Sequence, residues 1–245
     1  MKRVSLLLLL FVLASGSVFS ATINVPADHV TIQAAIDAAV NGDTVLVANG
    51  TYTGEGNVNL DFKGKAITVK SAGGADVCII DCENIIDVGG FNFHSGETES
   101  SVLDGFTITK ANAVSSEIHG ILVTGSSSPI IINCVIVNNV APYGGGIICT
   151  YSSKPVFSNC TIANNTATVG GGGILCDNTS APIFNNCVIM NNSAAHGGGI
   201  LCDHNTSPTF IECEIKNNQD GYSDHSGGNG GGGFCLNSNE FLFLP

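Results

Sequence analysis

Asp220, Tyr222, Asp224 and His225 crowd into one glycine-rich stretch, Gln219–Gly232, and His196 occupies the matching place one repeat earlier. Carboxylates, an imidazole and a phenol are groups that hydrogen-bond a polar ligand, and insertions in repeat proteins often carry binding. The plainer reading is a glycine-rich excursion from a regular scaffold. Asp177 and Asp203 form a second candidate. Each directly follows a repeated cysteine, Cys176 or Cys202, so on stacked repeats they would lie about 4.8 Å apart. Oxygens at that spacing could help to hold Ca²⁺, which takes about six to eight of them, although two carboxylates alone supply too few. Glu212 and Glu214 flank Cys213 at a separation compatible with a glycosidase pair. No apolar neighbour sets one apart from the other, so a solvated face is the better reading. Lys154 and Lys216 could each act as the base of a calcium-assisted lyase, but neither has carboxylates at matching register. Gly227-Gly228-Asn229-Gly230 lacks the Asp of a calcium-binding nonapeptide and the Gly-Lys-Ser/Thr of a phosphate loop.

These residues hang on a stretch, Pro129 to Cys235, that repeats itself four times. Pro129-Ile-Ile-Ile-Asn-Cys134-Val-Ile136-Val-Asn-Asn139 returns from Pro155, Pro182 and Pro208, with cysteines at 134, 160, 187 and 213. The spacings are 26, 27 and 26 residues, and a fixed period in this range marks a solenoid. A second signal falls between, Gly146-Ile-Ile-Cys149, which recurs at Gly173 and Gly199 and in altered form at Gly233-Phe234-Cys235. From the repeat cysteine to the glycine of the next signal there are 12, 13 and 12 residues, then 20 after Cys213. The insertion is the Gln219–Gly232 stretch. Charges enter only at positions 214 and 216 of the Cys-x-Ile-x strands. Period-two alternation therefore points Cys and Ile inward and the variable sites outward. Eight of the ten cysteines fall on this register. Buried thiols behave as small apolar groups, yet adjacent coils also lie within disulfide range, and both states stay open. The paired Asn residues suit left-handed turns and could bond coil to coil. Leu122, Ile148, Leu175 and Leu201 fall out of phase. Either a neighbouring turn covers this apolar stripe or a partner does.

The chain opens with Met1-Lys2-Arg3, an apolar run from Leu6 to Leu13 and small residues to Ser20. That pattern is a signal peptide, 1–20, and is too short to span a bilayer. Without it the chain holds six lysines and no arginine against twenty carboxylates, a formal charge of −14. Such a surface repels nucleic acid and anionic membranes. Ile32, Ala35, Ile36, Ala39 and Val40 share a helical face, with Thr31 as N-cap and Asn41-Gly42 as the stop. We expect 21–43 to cap the solenoid, 44–245 to form it and 120–235 to carry its regular coils. Extended segments are expected at Asn57–Leu60, Ala66–Lys70, Val77–Asp81 and Val102–Thr109. Phe241-Leu-Phe-Leu-Pro245 offers no polar cap, so an incomplete C-terminus is expected.

The block Ile32–Ala39, Gly42-Asp43-Thr44-Val45-Leu46-Val47 and Gly50-Thr51-Tyr52 resembles the cap of exported members of the right-handed parallel β-helix, pectin-lyase-like superfamily. The repeats also resemble those of chlamydial polymorphic outer-membrane proteins, with Phe-x-Asn-Cys in place of Phe-x-x-Asn and no outer-membrane barrel. The resemblance implies an all-β, right-handed parallel β-helix solenoid with an N-terminal capping α-helix. It does not choose an activity. Pectin methylesterase-like and arginine-dependent lyase sites need an Arg beside paired carboxylates, which this chain lacks after Arg3. The Asn-x-Asp, Asp-Asp, Gly-His-Gly and Arg-x-Lys of polygalacturonase-like members are also missing. The expectation is an exported, non-catalytic surface or extracellular protein that binds carbohydrate, its partner an extracellular polysaccharide or cell-envelope component. No cofactor is required, and Ca²⁺ is the one candidate. The alternative is a polysaccharide-active enzyme of lyase or glycoside hydrolase type.

Overall fold

The computed structural model describes residues 20–114 and 119–221, and the backbone of 233–235 and 242–244. Every paired strand in it is parallel to its neighbour one coil away. One coil visits four sheets in turn. In the coil that starts at Ile130 these are Ile130–Ile132 (sheet 1), Val135–Val137 (sheet 2), Val140–Tyr143 (sheet 3) and Ile147–Cys149 (sheet 4). The next coil repeats them at Val156–Ser158, Thr161–Ala163, Thr166–Gly170 and Ile174–Cys176. Among the described residues sheet 1 has nine strands, sheets 2 and 4 have seven each, and sheet 3 has four. The register is residue on like residue: Phe157 on Phe184 on Phe210, Ile136 on Ile162 on Ile189, Cys149 on Cys176 on Cys202.

Alternation places these columns inside. Phe157, Phe184 and Phe210 stack with ring centroids 4.9 and 5.1 Å apart and planes within 9°. Cys134, Cys160 and Cys187 are buried beside them. Turns between short strands demand left-handed backbone, which asparagine accepts more readily than most residues. Asn133, Asn159 and Asn186 take φ of 54°, 54° and 50° between sheets 1 and 2, and Asn138, Asn164, Asn191 and Asn217 take 54–57° after sheet 2.

The second asparagine of each pair turns inward. Asn139, Asn165, Asn192 and Asn218 form a buried amide ladder. Asn165 Nδ2 donates to Ile136 O and to Asn192 Oδ1, both at 3.0 Å. Its Oδ1 accepts from the backbone N and the Nδ2 of Asn139, also at 3.0 Å. Each amide thus serves the coil before it and the coil after it.

Sheet 4 explains the out-of-phase stripe. All three residues of Ile147–Cys149, Ile174–Cys176 and Ile200–Cys202 are buried. The outward residues Ile148, Leu175 and Leu201 form their own small core, with Leu122 packed against it. The glycine-rich path from sheet 3 to sheet 4 folds over them. A Cβ at Gly144 would lie 2.7 Å from Ile148 Cγ1, and one at Gly170 2.4 Å from Leu201 Cδ2. Gly144, Gly171 and Gly197 also take φ between 53° and 67°, so these positions exclude side chains twice over. The stripe is covered by the chain itself.

The helix, Ile32–Ala38, has Thr31 as N-cap accepting from Ala34 N. It buries Ile32, Ala35 and Ile36 on the end of the solenoid. Gln33 extends sheet 4 with its side chain, accepting from Asp61 N at 2.9 Å and donating to Asp61 O at 3.1 Å. Lys65 Nζ donates to the carbonyls of Ile36, Asp37 and Ala39 at 2.7–2.9 Å and closes the helix C-terminus. Val40 departs from expectation. The backbone turns extended at Ala39 (ψ 146°), which swings Val40 off the apolar face to 60 % exposure. Thr22–Val25, in the expected cap, is already the first rung of sheet 1. In the irregular coils, Thr68–Ser71 and Cys78–Asp81 fall within two residues of the expected segments, the strand expected at Asn57–Leu60 shrinks to Leu60–Asp61, and Val102–Thr109 is two strands parted at Gly105, φ 81°.

Asn165→Ala should leave the backbone N–H of Asn139 without its acceptor and take one hydrogen bond each from the Asn139 side-chain amide, which keeps Ile108 O, and from the Ile136 carbonyl. A buried orphan costs about 1–3 kcal/mol and each lost bond about 0.5–1.5 kcal/mol, so the expected loss is about 2–5 kcal/mol in denaturant unfolding. Asn164→Ala, which only removes a left-handed preference, should cost about 1–2 kcal/mol.

Candidate functional site

The turn from sheet 4 back to sheet 1 takes two consecutive left-handed residues in each regular coil. They are Gly125-Ser126, Tyr151-Ser152, Asn178-Thr179 and His204-Asn205, with φ between 46° and 62°. A glycine does this without strain in the first of them. Tyr151 and β-branched Thr179 do it against a steric cost of about 1–2 kcal/mol per residue. Coil-to-coil bonds hold them: Ser126 N donates to Tyr151 O, Ser152 N to Asn178 O and Thr179 N to His204 O, at 2.9–3.0 Å. Ser152 Oγ and Thr179 Oγ1 share a further bond of 2.8 Å. The result is an outer ridge on which Tyr151, Asn178 and His204 follow one another at about 4.8 Å intervals. Tyr151 is 63 % exposed.

Asp177 and Asp203 stand at the base of this ridge on adjacent rungs, their backbone N–H groups bonded to Cys149 O and Cys176 O. The structure brings them together as expected and sets an imidazole between them. His204 Nδ1 lies 2.7 Å from Asp177 Oδ1 and 3.5 Å from Asp203 Oδ2. Asp177 also accepts from Asn178 N at 2.7 Å and Nδ2 at 3.0 Å, and Asp203 accepts from His204 N at 2.8 Å. Among the described residues no group of three or more His, Cys, Asp or Glu is gathered as a metal-ligand set. The His204 pKa is raised, first by its hydrogen bond to Asp177 and then by the charges of Asp177 and Asp203.

The same edge continues toward the N-terminus as an open depression of about 410 Å³, lined by residues that include Glu97, Glu99, Ser126 and Ser128. Glu97 is buried. Its carboxylate accepts from Gly64 N, Ser95 N and Ser127 Oγ at 2.8–2.9 Å, so it fastens three coils rather than facing a ligand.

Asp220 lies on sheet 3 and His196 just beyond it, bridged to Gly170, both away from this ridge. Asp220 pairs in register with Ala194, and its Oδ2 accepts from Gly197 N at 3.3 Å. The two candidates are therefore neighbours on adjacent coils. Tyr222, Asp224 and His225 lie outside the described residues. Glu214 pairs with Lys216 at 2.7 Å on the solvated face of sheet 2, Glu212 occupies a left-handed turn position at φ 51°, and Lys154 is exposed. The nine described cysteines are free thiols.

Sequence reasoning passed over Tyr151, Asn178 and His204. The signal was present, since each stands four residues before a repeat proline, Pro155, Pro182 or Pro208.

A coil of parallel strands carrying amide and aromatic columns defines a class, and sequence comparison gives its name. The chain matches the right-handed β-helix region over residues 46–241 and belongs to that family. No curated protein is significantly similar to it in sequence. Among solved structures it is similar to a pectin methylesterase from carrot, with a TM-score of 0.53 and 14 % identity over 94 % of this chain and 84 % of that one. It is also similar to a pectin methylesterase from Aspergillus niger, with a TM-score of 0.51 and 12 % identity over 91 % and 84 %. At these identities the likeness is one of fold. Among the described residues no helix is long and apolar enough to cross a membrane.

The raised His204 pKa fixes a pH sign. A raised folded-state value means that the Asp177–His204–Asp203 contact stabilises the turn fully below the unfolded value of 6.5. That stabilisation is lost as the pH rises through the folded value. In an NMR titration His204 should protonate above pH 6.5, and Asp177→Asn should bring its midpoint down.

Proposed function

We propose that this is an exported β-helical protein of the cell surface or extracellular space, and that the ridge between sheets 4 and 1 binds an extended carbohydrate without cleaving it. The observation that carries the reading is the strained, repeated turn. It presents an aromatic ring, an amide and an imidazole in a straight file, with Asp177, Asp203, Ser152 and Asn205 alongside. A phenol face and closely spaced donors and acceptors suit the apolar faces and hydroxyls of sugar rings. The two rung steps from Tyr151 to His204 give a run of about 10 Å at about 4.8 Å each, so the ligand spans three coils. The apolar, correctly flanked start of the chain and the likeness of its repeats to those of surface proteins support export. The acidic balance favours a neutral glycan over a polyanion.

Pectin methylesterases share the scaffold, which supports a saccharide ligand. The absence of arginine after Arg3 speaks against transferring their activity.

The test is a glycan array followed by calorimetry on the purified chain. We expect binding, weakened tenfold or more by Tyr151→Ala and by His204→Ala, which is about 1.4 kcal/mol each. Glu214→Ala on sheet 2 should leave affinity unchanged. Turnover of any bound polysaccharide would replace this reading with the enzymatic one, and silence across the array would end it. Chelator in the same titration tests calcium: loss of binding would assign Ca²⁺ to Asp177 and Asp203.

A further inference from the structure

The inward cysteines of the sheet 1 to sheet 2 corner form a ladder of thiols. Cys134, Cys160, Cys187 and Cys213 follow one another coil by coil, each just before the in-register column Val135, Thr161, Val188 and Glu214. Each also reaches the carbonyl two residues before it, at 3.2–3.4 Å. The last step is the tightest in backbone terms, since Cys187 N donates to Cys213 Sγ at 3.4 Å. Val188 and Glu214, the next residues, are in-register partners. Parallel partners sit about 4.8 Å apart, inside the Cα range of about 4.4–6.8 Å that a disulfide spans. Of the nine described cysteines, Cys213 alone is not fully buried.

We infer that Cys187 and Cys213 are a disulfide-forming pair, closed when the chain meets a small-molecule disulfide, with Cys213 as the thiol that solvent reaches first. Cys213, giving up its proton, attacks one sulfur of the oxidant and releases the other as a thiolate. Cys187 then gives up its proton, attacks Cys213 Sγ in the mixed disulfide and releases the second thiolate. One S–S bond forms, one breaks, and two electrons and two protons pass from the pair to the oxidant. Cys187 is suited to the second step. It lies between Cys160 and Cys213 in the column, and its backbone N–H already donates to Cys213 Sγ at 3.4 Å. The other described rungs lack a thiol that solvent reaches, so the ladder is expected to oxidise at this step alone.

The inference stands apart from carbohydrate binding and from export, because it concerns the purified full chain. Reduced protein should alkylate at ten cysteines under denaturing conditions, and protein incubated with glutathione disulfide at eight. Peptide mapping should join Cys187 to Cys213, and the melting temperature should rise by several degrees. Cys213→Ser should keep all nine of its thiols, while Cys160→Ser should fall from nine to seven. Mapping the unsubstituted chain decides the matter even where a variant fails to fold. An unchanged thiol count, or a bridge between any other pair, overturns the inference.

Discussion

The structure depends on one constraint: each residue must tolerate its own counterpart about 4.8 Å away along the axis. Side chains that bond to copies of themselves satisfy it best. The amide of Asn165 carries a donor and an acceptor, so it accepts from Asn139 and donates to Asn192 with the same geometry. Phenylalanine meets the constraint by stacking, and the planes of Phe184 and Phe210 lie within 7°. Isoleucine and cysteine meet it by packing. Charged residues do not, and the outer columns show the remedy. Lys70 lies beside Asp104 and Lys110 beside Asp81, each pair joining successive coils in an ion pair. Such exposed pairs contribute little stability on their own, but they remove a repulsion that stacking would impose.

Asp177 and Asp203 break that pattern, with two carboxylates on neighbouring rungs. His204 answers them. It is placed by the turn that follows Asp203, and it reaches back one coil to Asp177. The candidate site is thus the place where the stacking rule is violated and locally repaired. Left-handed Tyr151 and Thr179 in the same turns add backbone strain, a mark that functional sites often bear.

Much of this was legible in the sequence. The period, the inward Cys and Ile columns and the turn-forming asparagines followed from comparing four near-copies. What escaped has physical reasons. Sheet 3 is built from pieces such as Ser193–Ala194, only two residues long, too short for alternation to show. Phe91–Phe93 lies in irregular coils that offer no copy to compare. The Ile148–Leu175–Leu201 stripe was placed outward, but period two describes a free strand and could not choose between a covering turn and a partner; the cover comes from the chain itself. His204 was hidden for the opposite reason: its position holds Gly125, Tyr151 and Asn178 in other coils, so no repeated residue type marks it. The spacing placed Asp177 beside Asp203 but could not show what lay between them.

The glycine roof over sheet 4 divides the cross-section into two kinds of territory. On that side a methyl group at Gly144 or Gly170 would strike Ile148 or Leu201, so the corner accepts almost no chemical novelty. At the other end of sheet 4 the turn accepts glycine, tyrosine, asparagine and histidine at one position without altering its path. One flank of sheet 4 is locked and the other open to variation. New recognition could therefore be written coil by coil on the open flank while the scaffold beneath keeps its shape.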